Sequence, residues 1–177
     1  MLSDEIRNTL LRIARRSLET AFSHEVYTVP EINMMRGAFV TLRKNGELRG
    51  CIGFLEGIMP LSDQVFTLAR DAAFRDYRFP PLSESELAEI TIEISVLTVP
   101  EEIPSPEDFL PGREGIILSA SGRRAVFLPQ VSDETGWGRQ EMLSALSRKA
   151  GLPPDAWKRY DAVFMTFTAE VFDESVL

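Results

Sequence analysis

The order hairpin, helix, alternating strand occurs twice along the chain, and this recurrence most narrows the folds open to it. In the first pass, Gly37-Ala38-Phe39-Val40-Thr41-Leu42-Arg43 and the run Leu48 to Phe54 flank Asn45-Gly46, a dipeptide that favours a type I′ turn between β-rich segments. Leu61, Val65, Leu68, Ala69 and Ala72 follow Pro60 at helical spacing, and Phe79-Pro80-Pro81 interrupts the chain before a Ser83-x-x-Glu86 capping box. Ile90, Ile92, Ile94 and Val96 then alternate with Thr91, Glu93 and Ser95, the period of a strand with one apolar and one polar face. The second pass runs from Ile116 to Ala120, turns at Ser121-Gly122 and returns from Arg124 to Leu128. Its helix extends from about Arg139 to Ala150 and stops at Gly151 with Pro153-Pro154 beyond. Val163, Met165, Phe167, Ala169 and Val171 alternate in a last strand. Ahead of both, Ile6, Leu10, Ile13, Ala14, Leu18 and Ala21 mark an amphipathic helix from Ser3 to Phe22 with an acidic first turn. The Pro-rich, acidic stretch Val99 to Asp108 joins the passes. These signals predict an α+β chain in one domain over residues 1–177. It has two hairpin–helix–strand repeats, residues 37–97 and 116–171, around a curved, barrel-like, mostly antiparallel sheet, plus an N-terminal helix. Duplication and coincidence both account for the recurring order.

The scarcest residues exclude the most chemistry. One cysteine, Cys51, forms no internal disulfide, and with one histidine, His24, the chain cannot assemble a zinc or iron–sulfur site from Cys and His. No phosphate loop, dinucleotide fingerprint or Gly-x-Ser-x-Gly elbow is present, so neither metal nor cofactor is expected. A formal charge of −8 and a pI near 4.8 argue against a general nucleic-acid or anionic-membrane binder while leaving room for local basic patches. No apolar run approaches the roughly 18 residues of a membrane span. Met1-Leu2-Ser3-Asp4-Glu5 carries acids where an export signal carries bases; a cytoplasmic protein is expected.

The most informative segment is Leu48-Arg49-Gly50-Cys51-Ile52-Gly53. Glycines inside a strand weaken packing unless the backbone must bend or be closely approached. Strand alternation puts Arg49, Cys51 and Gly53 on one face, with the guanidinium about 7 Å of rise from the sulfur. There a cation favours the thiolate. A two-residue turn without irregularity pairs Cys51 with Val40 and Arg49 with Leu42, making that face apolar around one charge and one thiol. Two readings of Cys51 follow: a poised thiol in a pocket wall, or a small buried hydrophobe, as free cysteines commonly are.

At this segment the chain resembles the AMME syndrome candidate gene protein family, the AMMECR domain, whose prokaryotic members are called AmmeMemoRadiSam system protein A. Leu48 to Gly53 is the most specific element. Collinear with it are residues 37–42, Asp76-Tyr77-Arg78-Phe79-Pro80-Pro81-Leu82, Glu93-Ile94-Ser95-Val96-Leu97, and Phe127-Leu128-Pro129-Gln130-Val131 with Gly136-Trp137. The family usually has Pro at the position of Tyr77 and Thr at that of Phe54. The resemblance implies an α+β fold with two similar repeats and an unsettled biochemical activity. It also implies association with a Memo-like protein and a radical S-adenosylmethionine protein.

Other residues carry weaker signals. His24, after the first helix, is a candidate base for Cys51, although a histidine at a helix end also answers the helix dipole. Arg78, in a Pro-ended loop, is a candidate for holding an anionic group of the substrate, and Glu93 is a ligand-facing acid or part of a wet sheet face. Two functions remain open. One is a catalytic or substrate-binding accessory subunit with Cys51 as candidate nucleophile and Arg49, Gly50, Gly53, Arg78 and Glu93 around an unknown small-molecule or modified substrate. The other is a binding scaffold for proteins or, against the acidic charge balance, RNA.

Overall fold

The computed structural model describes residues 1–176 and divides them into two compact units, Met1–Leu97 with residues 170–176 and Thr98–Ala169. The first opens with helix α1 (Asp4–Ser23), whose N-cap Ser3 accepts the Ile6 N–H through its side chain, as the Ser-Asp-Glu start predicts. Strands β1 (Ala38–Lys44) and β2 (Glu47–Phe54) form a hairpin. Asn45 and Gly46 both have positive φ, 53° and 83°, which makes the turn type I′. Helix α2 (Leu61–Phe74) and strand β3 (Ile90–Leu97) follow. The sheet order is β2-β1-β3-β8, where β8 is Ala169–Asp173.

Helices α1 and α2 cover one face of this sheet. Leu10, Ile13, Leu18, Val65, Leu68 and Ala72 pack with Val40, Leu42, Ile92 and Ile94 in one cluster of fully or almost fully buried side chains. Alternation therefore turns Phe39, Thr41 and Arg43 of β1, and their partners Ser95, Glu93 and Thr91 on β3, to the face away from the helices.

The second unit contains the short strand β4 (Glu101–Ile103), a hairpin of β5 (Gly115–Ala120) and β6 (Arg123–Phe127), helices α3 (Val131–Thr135) and α4 (Arg139–Lys149), and strand β7 (Val163–Phe167). Ser121 and Gly122 repeat the positive-φ turn, at 50° and 71°. The sheet order is β4-β7-β5-β6, so β5 lies between its hairpin partner and the strand after the helix, as β1 does in the first unit. Phe109, Ile116, Leu118, Met142, Leu146 and Phe164 form a second buried cluster.

The fold is thus mixed α+β with two antiparallel sheets and an N-terminal helix. Two segments differ from the sequence reading. The acidic connection holds strand β4, and the expected last strand breaks at Thr168 into β7 and β8, which join different sheets. Thr98 and Thr168 mark the break: the Thr98 N–H donates to the Thr168 carbonyl at 2.9 Å, and the Thr168 N–H donates to the Thr98 hydroxyl at 2.9 Å. Among the described residues no helix is long and apolar enough to cross a membrane.

Candidate functional site

A β-bulge decides what Cys51 faces. Arg43 pairs with Leu48 but Leu42 pairs with Gly50, so Arg49 is the extra residue and the register beyond it moves by one. Cys51 consequently pairs with Thr41, not with Val40 as the regular hairpin predicts, and Arg49 has no cross-strand partner in Leu42. The thiol lies on the polar face, where the Thr41 hydroxyl donates to Sγ at 3.3 Å. Pairing continues the row to Glu93, which meets Arg43 at 3.5 Å. Cys51, Thr41 and Glu93 stand side by side across β2, β1 and β3.

The two glycines serve opposite faces. A Cβ on Gly50 would collide with the Ala72 carbonyl oxygen, and one on Gly53 with the Phe39 ring. The first glycine lets α2 lie directly on the strand; the second lets Phe39 close over it from the face that carries the thiol.

Asp76 and Arg78 fix the outer edge of β2 at Cys51. The buried Asp76 carboxylate accepts the Cys51 N–H at 2.9 Å, and Arg78 Nη2 donates to the Cys51 carbonyl at 3.2 Å. Arg78 also holds Asp76 with two bonds, Nε to Oδ1 at 2.9 Å and Nη2 to Oδ2 at 2.7 Å, while its own N–H reaches Oδ1 at 3.2 Å. The pair thus gives both backbone groups of one edge residue the partners that a neighbouring strand would give. The Arg78 guanidinium, helped by the Cys51 and Arg78 backbone N–H groups and opposed by burial, holds the Asp76 carboxyl far below the usual carboxylate range. Arg78 is held above its ordinary value, chiefly by Asp76 and in smaller part by Cys51. It stacks 5.5 Å above the Phe79 ring.

Arg49 is engaged elsewhere. Its Nε and Nη2 grip Glu86 at 2.9 and 3.1 Å, and Lys44 reaches the same carboxylate at 3.4 Å. Arg49, followed by the Ser83 N–H of the expected capping box, lowers the Glu86 carboxyl to about 2. The charge that the sequence places beside the thiol is therefore spent on Glu86, and Arg78 is the cation that touches Cys51. His24 caps α1 in the left-handed region, φ 59°, with its N–H on the Thr20 carbonyl; it follows the helix layer, whereas the thiol projects from the opposite face of the sheet. Among the described residues it makes no hydrogen bond to Cys51.

The structure thus brings Cys51, Gly53, Arg78 and Glu93 to one face and its edge, places Gly50 on the other face, and sets Arg49 and His24 apart. Thr41 is the member of the row that sequence reading missed; its register with Cys51 depends on the bulge. Asp76 was legible only as the first residue of the run Asp76 to Leu82, with no role assigned to it. Among the described residues no three His, Cys, Asp or Glu side chains converge as a metal site requires. With Asp76 committed to Arg78 and held anionic, the arrangement offers a partly exposed thiol on β2, held by the buried Thr41 hydroxyl of β1, with a carboxylate on β3 and a cation at the sheet edge. These groups can bind and orient a polar molecule beside sulfur.

The sequence profile of the AMMECR1 family matches residues 11–172. A protein of Thermococcus onnurineus is 41% identical over 98% of this chain and 92% of its own length, and protein MK0488 of Methanopyrus kandleri is 47% identical over 78% of this chain and 72% of its own. The crystal structure of an uncharacterized protein, PH0010 from Pyrococcus horikoshii, superposes with a TM-score of 0.81 at 37% identity, covering 98% of this chain and 93% of that one. A profile match over most of the sequence, relatives at this identity and a superposable solved structure agree: the chain belongs to the AMMECR1 family.

Proposed function

We propose that the protein is a substrate-binding or catalytic accessory subunit that works with Memo-like and radical S-adenosylmethionine proteins. Its site is the polar face of the first sheet around Cys51, Thr41 and Glu93, with Arg78 at the edge for an anionic group. The observation that carries this reading is the Asp76–Arg78 clamp on the Cys51 backbone. An edge strand can be protected by a single lysine, a proline or a short length. A buried carboxylate with a bidentate guanidinium, aimed at the one residue that carries a thiol, does more: it fixes where that thiol points.

Mass spectrometry after iodoacetamide treatment tests the reading. The folded protein is expected to be alkylated at Cys51, and Asp76→Ala, which frees the strand edge, is expected to change the rate several-fold. Cys51→Ser should retain the melting temperature and lose any small molecule that wild type retains when co-expressed with the two partner proteins. A thiol that resists alkylation until the protein unfolds, together with an unchanged retained ligand in Cys51→Ser, would overturn the proposal and leave a scaffold. The scaffold reading has one observation of its own: Tyr77, between the two clamp residues, is fully exposed, as an aromatic anchor for a partner protein would be.

A further inference from the structure

The chain's negative charge hides a cationic end on the second unit. Six of that unit's eight Lys and Arg residues, Arg123, Arg124, Arg148, Lys149, Lys158 and Arg159, come from the start of β6, the last turn of α4 and the segment after it. Contacts hold these segments together. Arg123 lies against Gly151 at the end of α4, Lys149 Nζ donates to the Val126 carbonyl of β6 at 2.8 Å, and Arg159 Nη1 donates to the Ser121 hydroxyl in the turn at 3.0 Å. Asp161 fixes the same turn, accepting the Ser121 N–H at 2.8 Å and its hydroxyl at 3.1 Å. Beside it opens a groove of about 420 Å³ lined by Ser119, Ser121, Arg123, Arg124, Asp161 and Val163. Arg123 is exposed and has no hydrogen-bond or ion-pair partner among the described residues.

Aromatic rings alternate with the cations. Tyr160, next to Lys158 and Arg159, is fully exposed; Lys158 lies 5.1 Å over the Trp157 ring and Lys149 5.0 Å over Phe127, which in turn meets Trp137 at 6.4 Å. We propose that this end of the second unit binds single-stranded nucleic acid, the phosphates along Arg123, Arg148, Lys158 and Arg159 and a base stacked on Tyr160. Exposed cations around one free aromatic face, that of Tyr160, fit a flexible polyanion whose bases can stack. The acidic remainder of the chain confines the polyanion to this end.

Fluorescence anisotropy of the full chain with a labelled 12-nucleotide oligouridylate tests the inference. Saturable binding at 50 mM salt should weaken about 20- to 50-fold at 200 mM, the loss for three to four phosphate contacts with a single strand. Tyr160→Ala should weaken binding roughly 5- to 150-fold, one stacked base, and Arg123→Gln should lower both affinity and salt slope by about one contact. Both side chains are exposed, so melting should not move. Arg12→Gln, a cation on α1, and Cys51→Ser should leave binding unchanged, which separates this site from the one on the first sheet. The inference is overturned if no binding occurs at 50 mM salt or if the Tyr160 and Arg123 variants bind like wild type. It is equally overturned if polyglutamate of equal charge displaces the oligonucleotide, which would assign the surface to an acidic protein, or if uridine monophosphate competes as well as the 12-mer, which would assign it to a mononucleotide.

Discussion

Replacing Asp76 by Ala removes the acceptor of three donors at once: the N–H groups of Cys51 and Arg78 and the bidentate Arg78 guanidinium. Each orphaned backbone donor costs about 1 kcal/mol. The charge-assisted pair adds about 1 kcal/mol, at the low end for such a pair because the Arg78 side chain is 46% exposed and can turn to water. The expected loss is about 3 kcal/mol, or roughly 6–12 °C in melting temperature for a chain of this size. Asp76→Asn keeps one neutral acceptor and should lose about half as much. Urea titration by far-UV circular dichroism and amide exchange at Cys51 report the loss. Exchange of that one N–H should accelerate about 100-fold, which corresponds to the same energy. The sign with pH is fixed by the depressed carboxyl: its stabilisation is complete above the unfolded value near 4 and is lost as the pH falls further, so wild type and Asp76→Ala should converge in acid. A variant within 0.5 kcal/mol of wild type, with unchanged protection of the Cys51 amide, would refute the claim that the clamp holds this strand.

Three more outcomes follow from the same geometry. Glu86, lowered to about 2 by Arg49 and Ser83, contributes up to roughly 3 kcal/mol that is present above about pH 4.5 and lost between there and pH 2; Glu86→Gln should flatten that part of the acid-stability curve measured by urea midpoints. Gly50→Ala, whose new methyl meets the Ala72 carbonyl of α2, should destabilise the first unit by about 2–4 kcal/mol in the same assay, and a change below 0.5 kcal/mol would mean that α2 can move off the strand freely. Thr41→Val, nearly isosteric, should cost about 1 kcal/mol and alter the iodoacetamide rate of Cys51 by removing the hydroxyl that donates to sulfur; an unchanged rate would show that this bond does not govern the thiol.

The parts of the fold that were legible are those fixed by neighbours in sequence. Helix α1, the type I′ turn at Asn45-Gly46, α2, the alternation of β3, and α4 with its glycine stop all stand where residue spacing and caps put them. Strand β4 was not legible, because three acidic and apolar residues form a strand only when β7 lies alongside to pair with them. The break at Thr168 was hidden for a related reason: alternation runs unbroken from Val163 to Val171, and only the reciprocal bonds with Thr98, 70 residues away in sequence, mark the crossing from one sheet to the other.

At the candidate site the decisive error was one residue of register. The sequence shows that Gly50 and Gly53 invite a bend, but not which residue bulges, since that depends on partners outside the hairpin. Ala72 of α2 occupies the space above Gly50, and Glu86, 37 residues beyond Arg49, draws the guanidinium to the capping turn. Together they favour extruding Arg49 from the ladder. In a strand whose side chains alternate, that one-residue step moves every later side chain to the opposite face. It takes Cys51 from the helix-covered apolar layer, where it would be an inert filler beside Val40, to the polar row with Thr41 and Glu93. The choice between core residue and functional thiol is therefore made at Arg49, so a variant that loses the Glu86 contact, Arg49→Ala, should change the reactivity of a thiol that Arg49 does not touch. Unchanged alkylation in that variant, with the fold intact, would show that Gly50 and α2 alone set the register.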